Sequence, residues 1–169
     1  MMPLTLRPET PADSAAIEHV TVAAFKNATH AAHTEQFIIN ALRRAGMLTV
    51  SLVAEDGGTI VGHVAISPVS ISSGASGWYG LGPISVLPER QGQSIGARLM
   101  NAAMAALKDL GAAGCVLLGD PAFYSRFGFQ PQPGLVLPGM PPEYFLALRF
   151  HGDWPVGTVT YHDAFNATS

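Results

Sequence analysis

A chain of 169 residues, 48% hydrophobic and 12% charged, can bury a core without disulfides or metals and lies far from the composition of disordered proteins. A net charge of -3 with nine Lys and Arg and no run of them excludes the electropositive footprint of a nucleic-acid surface. No apolar stretch approaches the ~20 residues of a membrane-spanning helix, and residues 1–10 lack the apolar region of a secretory signal.

The lone Cys115 forms no internal disulfide, so a reducing cytoplasm is the expected compartment. Leu4 to Arg7 alternates as a strand that Pro8 stops. Thr10 and Pro11 then open a helix with Ala15, Ile17, Val20, Ala24 and Phe25 at helical spacing. A second helix is expected from Thr34 to Gly46, carrying Phe37, Ile38, Ala41 and Leu42. A hairpin follows, with a strand through Val50, Leu52 and Ala54, a turn at Asp56-Gly57-Gly58 and a return over Ile60–Ile66. Pro68 ends that strand or marks a bulge, residues 72–77 form a small-residue loop, and Trp78–Val86 reads as the next strand.

The period then changes. From Gly96 to Leu110, the residues Leu99, Met100, Ala103, Ala106 and Leu107 make a helical stripe closed by Gly111. Gly114–Gly119 is a continuous apolar run that suits a buried strand. Together these compose a βαβ-like unit in mid-chain. After Gln130 the chain is Pro-rich to Pro142, a surface connection or a lid, and Tyr144–Phe150 and Gly157–Tyr161 complete it as strands. No repeat or linker divides the chain, so residues 1–169 are expected to form one domain.

The segment from Leu87 to Ala97 leaves a strand and opens a helix. Backbone N–H groups in a first helical turn lack internal partners and the macrodipole adds positive charge there. Gly92 and Gly96 let the backbone approach a ligand and Ser94 adds a hydroxyl, which suits a phosphate or pyrophosphate. The same residues also suit a plain turn and helix cap. Neither Gly-Lys-Ser/Thr nor Gly-x-Gly-x-x-Gly is present, so this is neither a P-loop nor a dinucleotide fingerprint.

Gln91-Gly92-Gln93-Ser94-Ile95-Gly96-Ala97 resembles the (Gln/Arg)-x-x-(Gly/Ala)-x-(Gly/Ala) signature of the GNAT family of N-acetyltransferases, with Ser94 where Gly is usual. Leu81 to Pro88 is similar to that family's fourth strand, Gly114 to Gly119 to its fifth, and Tyr124-x-x-x-Gly128-Phe129 to the end of its cofactor motif. Over Glu35–Phe165 the wording is similar to the YhbS-like branch. The resemblance implies an α/β fold with a central, mostly antiparallel, twisted sheet of six or seven strands, a splayed fourth and fifth strand, and flanking helices. It implies acetyl-CoA as cosubstrate, held by Gln91, Gly92, Gln93, Ser94, Ile95, Gly96 and Ala97 on its pyrophosphate. Backbone groups of Ile84, Ser85 and Val86 would take its pantetheine arm, with Tyr124 near the sulfur. The activity implied is direct acetyl transfer to a primary amine of a small molecule or peptide. The competing readings are a non-catalytic acetyl-CoA-binding module and an acyltransferase with another donor or acceptor.

Thioester-to-amine transfer needs a neutral amine, a polarised carbonyl and a protonated leaving thiolate. Tyr124 matches the family's general acid; otherwise it packs beside Phe123 and Phe127. Glu35 and His63 are the candidates for the base, against a dipole-complementing acid and a half-buried strand residue respectively. Arg126 either reaches a coenzyme A phosphate or pairs on the surface. His30-x-x-His33 lacks partners for a metal site, and Cys115 within an apolar run reads as an inert buried thiol. No metal is expected, nor a nucleic-acid or membrane partner. A homodimer is compatible with the low charge content.

Overall fold

The structure is a computed structural model that describes residues 4–28 and 31–169. His30, and with it the His30-x-x-His33 pair, lies outside the described residues. The strands are β1 (Leu4–Pro8), β2 (Val50–Asp56), β3 (Thr59–Ile71), β4 (Trp78–Val86), β5 (Gly114–Leu118), β6 (Gln130–Pro131), β7 (Leu135–Val136), β8 (Phe145–Arg149) and β9 (Gly157–Tyr161). The helices are α1 (Ser14–Phe25), α2 (Glu35–Arg44), α3 (Ile95–Asp109) and the short α4 (Pro121–Tyr124). The sheet runs β1-β2-β3-β4-β5-β8-β6, with β9 paired to β3 and to β7. Its pairs are antiparallel except β4 with β5 and β7 with β9. The mixed, mostly antiparallel sheet agrees with the expected architecture but has nine strands rather than six or seven, since the two-residue strands β6 and β7 within the Pro-rich segment join it.

Pro8 is the last residue of β1 rather than a stop before it, in register with Leu52. An edge strand tolerates the missing N–H. The third strand also runs past Pro68 to Ile71, because it changes partners. Val50, the first residue of β2, pairs with Ile66, and Val69–Ile71 then pair with β9.

The alternation and the helical stripes converge on one main core. Ile17 and Val20 of α1, Leu99, Met100, Ala103 and Leu107 of α3, and Val53, Val64, Ile66, Leu117 and Leu146 of the sheet are all buried in it. A smaller cluster gathers Trp78, Val116, Leu135, Phe145 and Val159. In α2, Ile39 joins the main core while Ile38 and Leu42 cluster with Ala164.

Two irregularities in β4 open a cleft at the centre of the sheet. Val64 pairs with Ile84 and Ile66 with Leu81, so Gly82 and Pro83 oppose Ala65 alone, a bulge that bends the strand. Parallel pairing with β5 covers Trp78–Gly80 against Gly114–Val116. From Leu81 to Val86 the two strands part, which leaves a free edge of β4 facing the end of β5.

Candidate active site

The free edge of β4 leads directly into the 91–97 loop. Arg98 N–H donates the first bond of α3 to the Ser94 carbonyl at 3.0 Å, so the N–H groups of Ile95, Gly96 and Ala97 precede any intrahelical acceptor. They face a cavity of about 360 Å3 lined by Val86, Arg90, Gln91, Gly92, Ser94–Ala97, Phe123 and Arg126. Gly96 lines this cavity without a side chain: a Cβ there would make ordinary contacts with Phe123 Cζ at 3.8 Å and Val86 Cγ2 at 4.0 Å.

Ser94 itself adopts φ 65° and ψ 13°, the left-handed region, and its side chain makes no capping bond. Such a conformation costs a non-glycine residue about 1 kcal/mol. The loop therefore keeps the glycine-type shape although Ser stands at the glycine position. Ser94→Gly is expected to raise stability by up to about 1 kcal/mol, less the added freedom of the unfolded chain. A urea midpoint below that of the parent would contradict this.

Side chains of the loop brace it rather than reach outward. Gln91 Nε2 donates to the Val86 carbonyl at 3.2 Å, tying the loop to the end of β4. Arg90 Nε donates to Gln93 Oε1 at 2.9 Å, and Arg90 pairs with Asp56 at 2.9 Å. Arg126 is different. Its guanidinium lies 4.5 Å from the Phe123 ring centroid, Nε donates to the Phe123 carbonyl, and no salt bridge engages it among the described residues. It lines the cavity as a cation held over an aromatic face, a placement that the sequence left open. Phe123, which the sequence suggests only as packing for Tyr124, lines the same cavity.

Tyr124 ends α4, which Asp120 caps by accepting from Ala122 N–H at 2.9 Å. Its ring meets Phe123 edge-on at 4.9 Å and Phe129 at 6.4 Å, and it covers Gly119 so closely that no Cβ would fit there. The Tyr124 ring thus packs against the residue just beyond the end of β5. Burial, with Asp120 nearby, raises its pKa, so it stays protonated at neutral pH.

His63 and Glu35 lie apart from this cavity. His63 is completely buried, and its pKa falls to about 4 because burial penalises the imidazolium, with Arg43 adding to burial and Glu9 opposing it. Nε2 is 2.8 Å from Ser51 Oγ, which also bonds Glu9; Glu9 is gripped by Arg43 through two 2.9 Å bonds. Because the single hydroxyl proton of Ser51 goes to the carboxylate, Nε2 carries the His63 proton and Nδ1, without a protein partner, is bare. Burial pushes the Glu9 carboxyl up, but bonds from Arg43 and Ser51 more than offset it, and its pKa is lowered.

This gives a pH dependence. The unfolded chain protonates His63 below about 6.5 while the fold resists until about 4. Between these values the unfolded state binds more protons, so stability falls as the pH falls, by on the order of 3 kcal/mol in all. Urea unfolding from pH 7.5 to 4 is expected to show this slope, and His63→Gln to flatten it; an equally steep slope in the variant would contradict the assignment.

Glu35 opens α2, its Oε2 accepting from Ala32 N–H at 3.1 Å. Oε1 is hidden from solvent without a protein partner, and the residue lines a cavity of about 140 Å3 with Val22, Phe25, Lys26, His33 and Gln36. No hydrogen bond or shared cavity joins Glu35, His63 and Tyr124 among the described residues. Cys115 is fully buried and its thiol is pushed up by burial, as an inert core thiol should be. Among the described residues no cluster of His, Cys, Asp or Glu could hold a metal, and no helix is long and apolar enough to cross a membrane.

A bulged β4 that parts from β5, followed by an N–H-lined loop at the start of α3, defines an acyl-CoA acetyltransferase scaffold. The chain belongs to the GNAT family of N-acetyltransferases: residues 48–131 match its acetyltransferase (GNAT) domain, and the chain is 32% identical over 170 residues to the uncharacterised N-acetyltransferase YhbS of Escherichia coli K12, covering 96% of this chain and 99% of that one. Among solved structures, a GNAT family acetyltransferase from Brucella melitensis in complex with acetyl-CoA superposes with a TM-score of 0.87 at 47% identity, over 98% of this chain and 99% of that one. YhbS from Escherichia coli in complex with CoA superposes with a TM-score of 0.90 at 32% identity, over 100% of this chain and 95% of that one.

Proposed function

We propose that this chain takes the acetyl group of acetyl-CoA and transfers it directly to the primary amine of a small molecule or peptide. The observation that carries the reading is the cavity at the start of α3, lined by Ile95, Gly96 and Ala97, whose three N–H groups precede any intrahelical acceptor, and by Arg126. That set fits a pyrophosphate. The 91–97 loop binds it through backbone N–H groups of Ile95, Gly96 and Ala97, with Ser94 holding the left-handed turn before them, while Gln91 and Gln93 hold the loop's shape and Gly92 supplies its turn at φ 77°. Of Ile84, Ser85 and Val86, the first and last offer main-chain groups on the free edge of β4 to the pantetheine arm, while the main chain of Ser85 pairs with His63 of β3. The Ser85 side chain is buried and takes no part in this.

When bound, acetyl-CoA supplies the activated acyl carbon. Tyr124 donates its phenolic proton to the departing sulfur, a role supported by its protonated state and by its ring lying against Gly119, just beyond the end of β5. Of the two groups named for the base, Glu35 has the better support, since one carboxylate oxygen is without a protein partner in a small cavity. His63 is sealed in the core with Nε2 committed to Ser51, so it acts on stability rather than on an acceptor. A Ser94 already in the left-handed conformation supports a cofactor loop that keeps its glycine-type shape.

The test is release of free thiol from acetyl-CoA in the presence of a panel of primary amines: polyamines, aminoglycosides and peptides with free N-termini. At least one class is expected to accelerate release. A chain that binds acetyl-CoA and releases thiol with none of them would be a binding module instead.

A further inference from the structure

The inner end of the opening between β4 and β5 carries two hydroxyls that play no part in the proton transfers assigned to Tyr124 and Glu35. Gly80 is the last residue of β4 paired with β5, opposite Val116, and its partner on β3 is Ser67. The Tyr161 ring of β9 crosses this glycine: a Cβ at Gly80 would lie 2.6 Å from Tyr161 Cε2 and 3.0 Å from Val69 Cγ1. Tyr161 pairs with Val69, meets the Phe165 ring edge-on at 4.8 Å, and packs on the cluster that holds Val116. The ring is therefore fixed where the two strands part.

Both hydroxyls around Gly80, Ser67 Oγ and Tyr161 OH, are buried and have no hydrogen-bond partner in the protein. Unpartnered buried hydroxyls destabilise a fold, and Ala and Phe would fill the same space without that cost. Burial raises the Tyr161 pKa, which keeps the phenol a donor. The free edge Leu81–Val86 spans roughly 17 Å at about 3.3 Å per residue. A thioester anchored by its phosphates at the start of α3 would run along this edge and present its acyl end near Gly80.

We propose that Tyr161 and Ser67 form an acyl-recognition site, their hydroxyls donating hydrogen bonds to the carbonyl oxygen of the bound acyl thioester. The assignment rests on the reading of the chain as acetyl-CoA-dependent. Coenzyme A itself ends in a thiol and offers these donors no carbonyl. Donors placed there also strengthen as that oxygen gains charge during attack by the amine.

Calorimetric titration of the parent, Tyr161→Phe and Ser67→Ala with acetyl-CoA and with CoA tests this, beside a thermal melt of each protein. The parent should bind acetyl-CoA more tightly than CoA. Tyr161→Phe should lose roughly three- to tenfold in acetyl-CoA affinity, the value of one neutral hydrogen bond, with CoA affinity unchanged and Tm unchanged or higher. Ser67→Ala should show the same selectivity of loss. Variants that leave both affinities unaltered, or that weaken both ligands alike while melting lower, would overturn the assignment. A parent that binds neither ligand would overturn the acetyl-CoA reading first, and this site with it.

Discussion

Replacing Gly96 with Glu is expected to abolish acetyl-CoA binding, by at least about a hundredfold, while leaving the fold intact or slightly more stable. The two effects have opposite signs for separate reasons. In the free protein a Cβ at position 96 meets nothing closer than 3.8 Å. Gly96 is the second residue of α3, where a residue with a side chain favours the helix over Gly by up to about 1 kcal/mol and an acid near the N-terminus adds about 0.3–1 kcal/mol. The same side chain projects into the cavity of about 360 Å3 and sets a carboxylate where phosphate oxygens would sit. Charge repulsion and lost hydrogen bonds then act together against the ligand. Calorimetric titration beside a melting curve separates the two readouts. Binding retained within a few-fold by a folded variant would place the anion site elsewhere.

Tyr124→Phe is expected to lower kcat for an acetylated amine by about a hundredfold, the lower range for loss of a positioned general acid, with acetyl-CoA affinity little changed. The ring contacts with Phe123, Phe129 and Gly119 survive the exchange, so stability should move by no more than about 0.5 kcal/mol. Because burial raises the phenol's pKa, the parent's rate should not fall with rising pH until well above neutrality. A variant with full kcat would leave Tyr124 as a packing residue, the other reading of its position. A fall in affinity matched by a fall in stability would point the same way.

Much of the fold was legible because it follows from local pattern. Period-two alternation located β1 and β2, the helical stripe located α3, and the apolar run located β5. What escaped depends on partners far along the chain. Nothing near Pro68 signals that β3 trades β2 for β9, and the short strands β6 and β7 exist through pairing with β8 and β9. The site divides in the same way. The loop was readable from Gly92, Gly96 and the strand-to-helix change, but Gln91 and Gln93 brace it from inside. Arg126 acquires its place from Phe123 beneath it. His63 reads as a candidate base or a half-buried strand residue, and only Glu9, Ser51 and Arg43 around it show that it is sealed in the core. Tyr161 and Ser67 carry no sequence signal at all, since a hydroxyl is orphaned only by what packs beside it.

A coenzyme A thioester lying along the free edge of β4, with its pyrophosphate at the start of α3, is the arrangement on which the proposed chemistry depends. A crystal structure of the protein with acetyl-CoA would show it or refute it outright. The expected result is a pyrophosphate within hydrogen-bond distance of the N–H groups of Ile95–Ala97, and an arm between Leu81–Val86 and the end of β5. A ligand seated elsewhere, with the 91–97 loop empty, would contradict it.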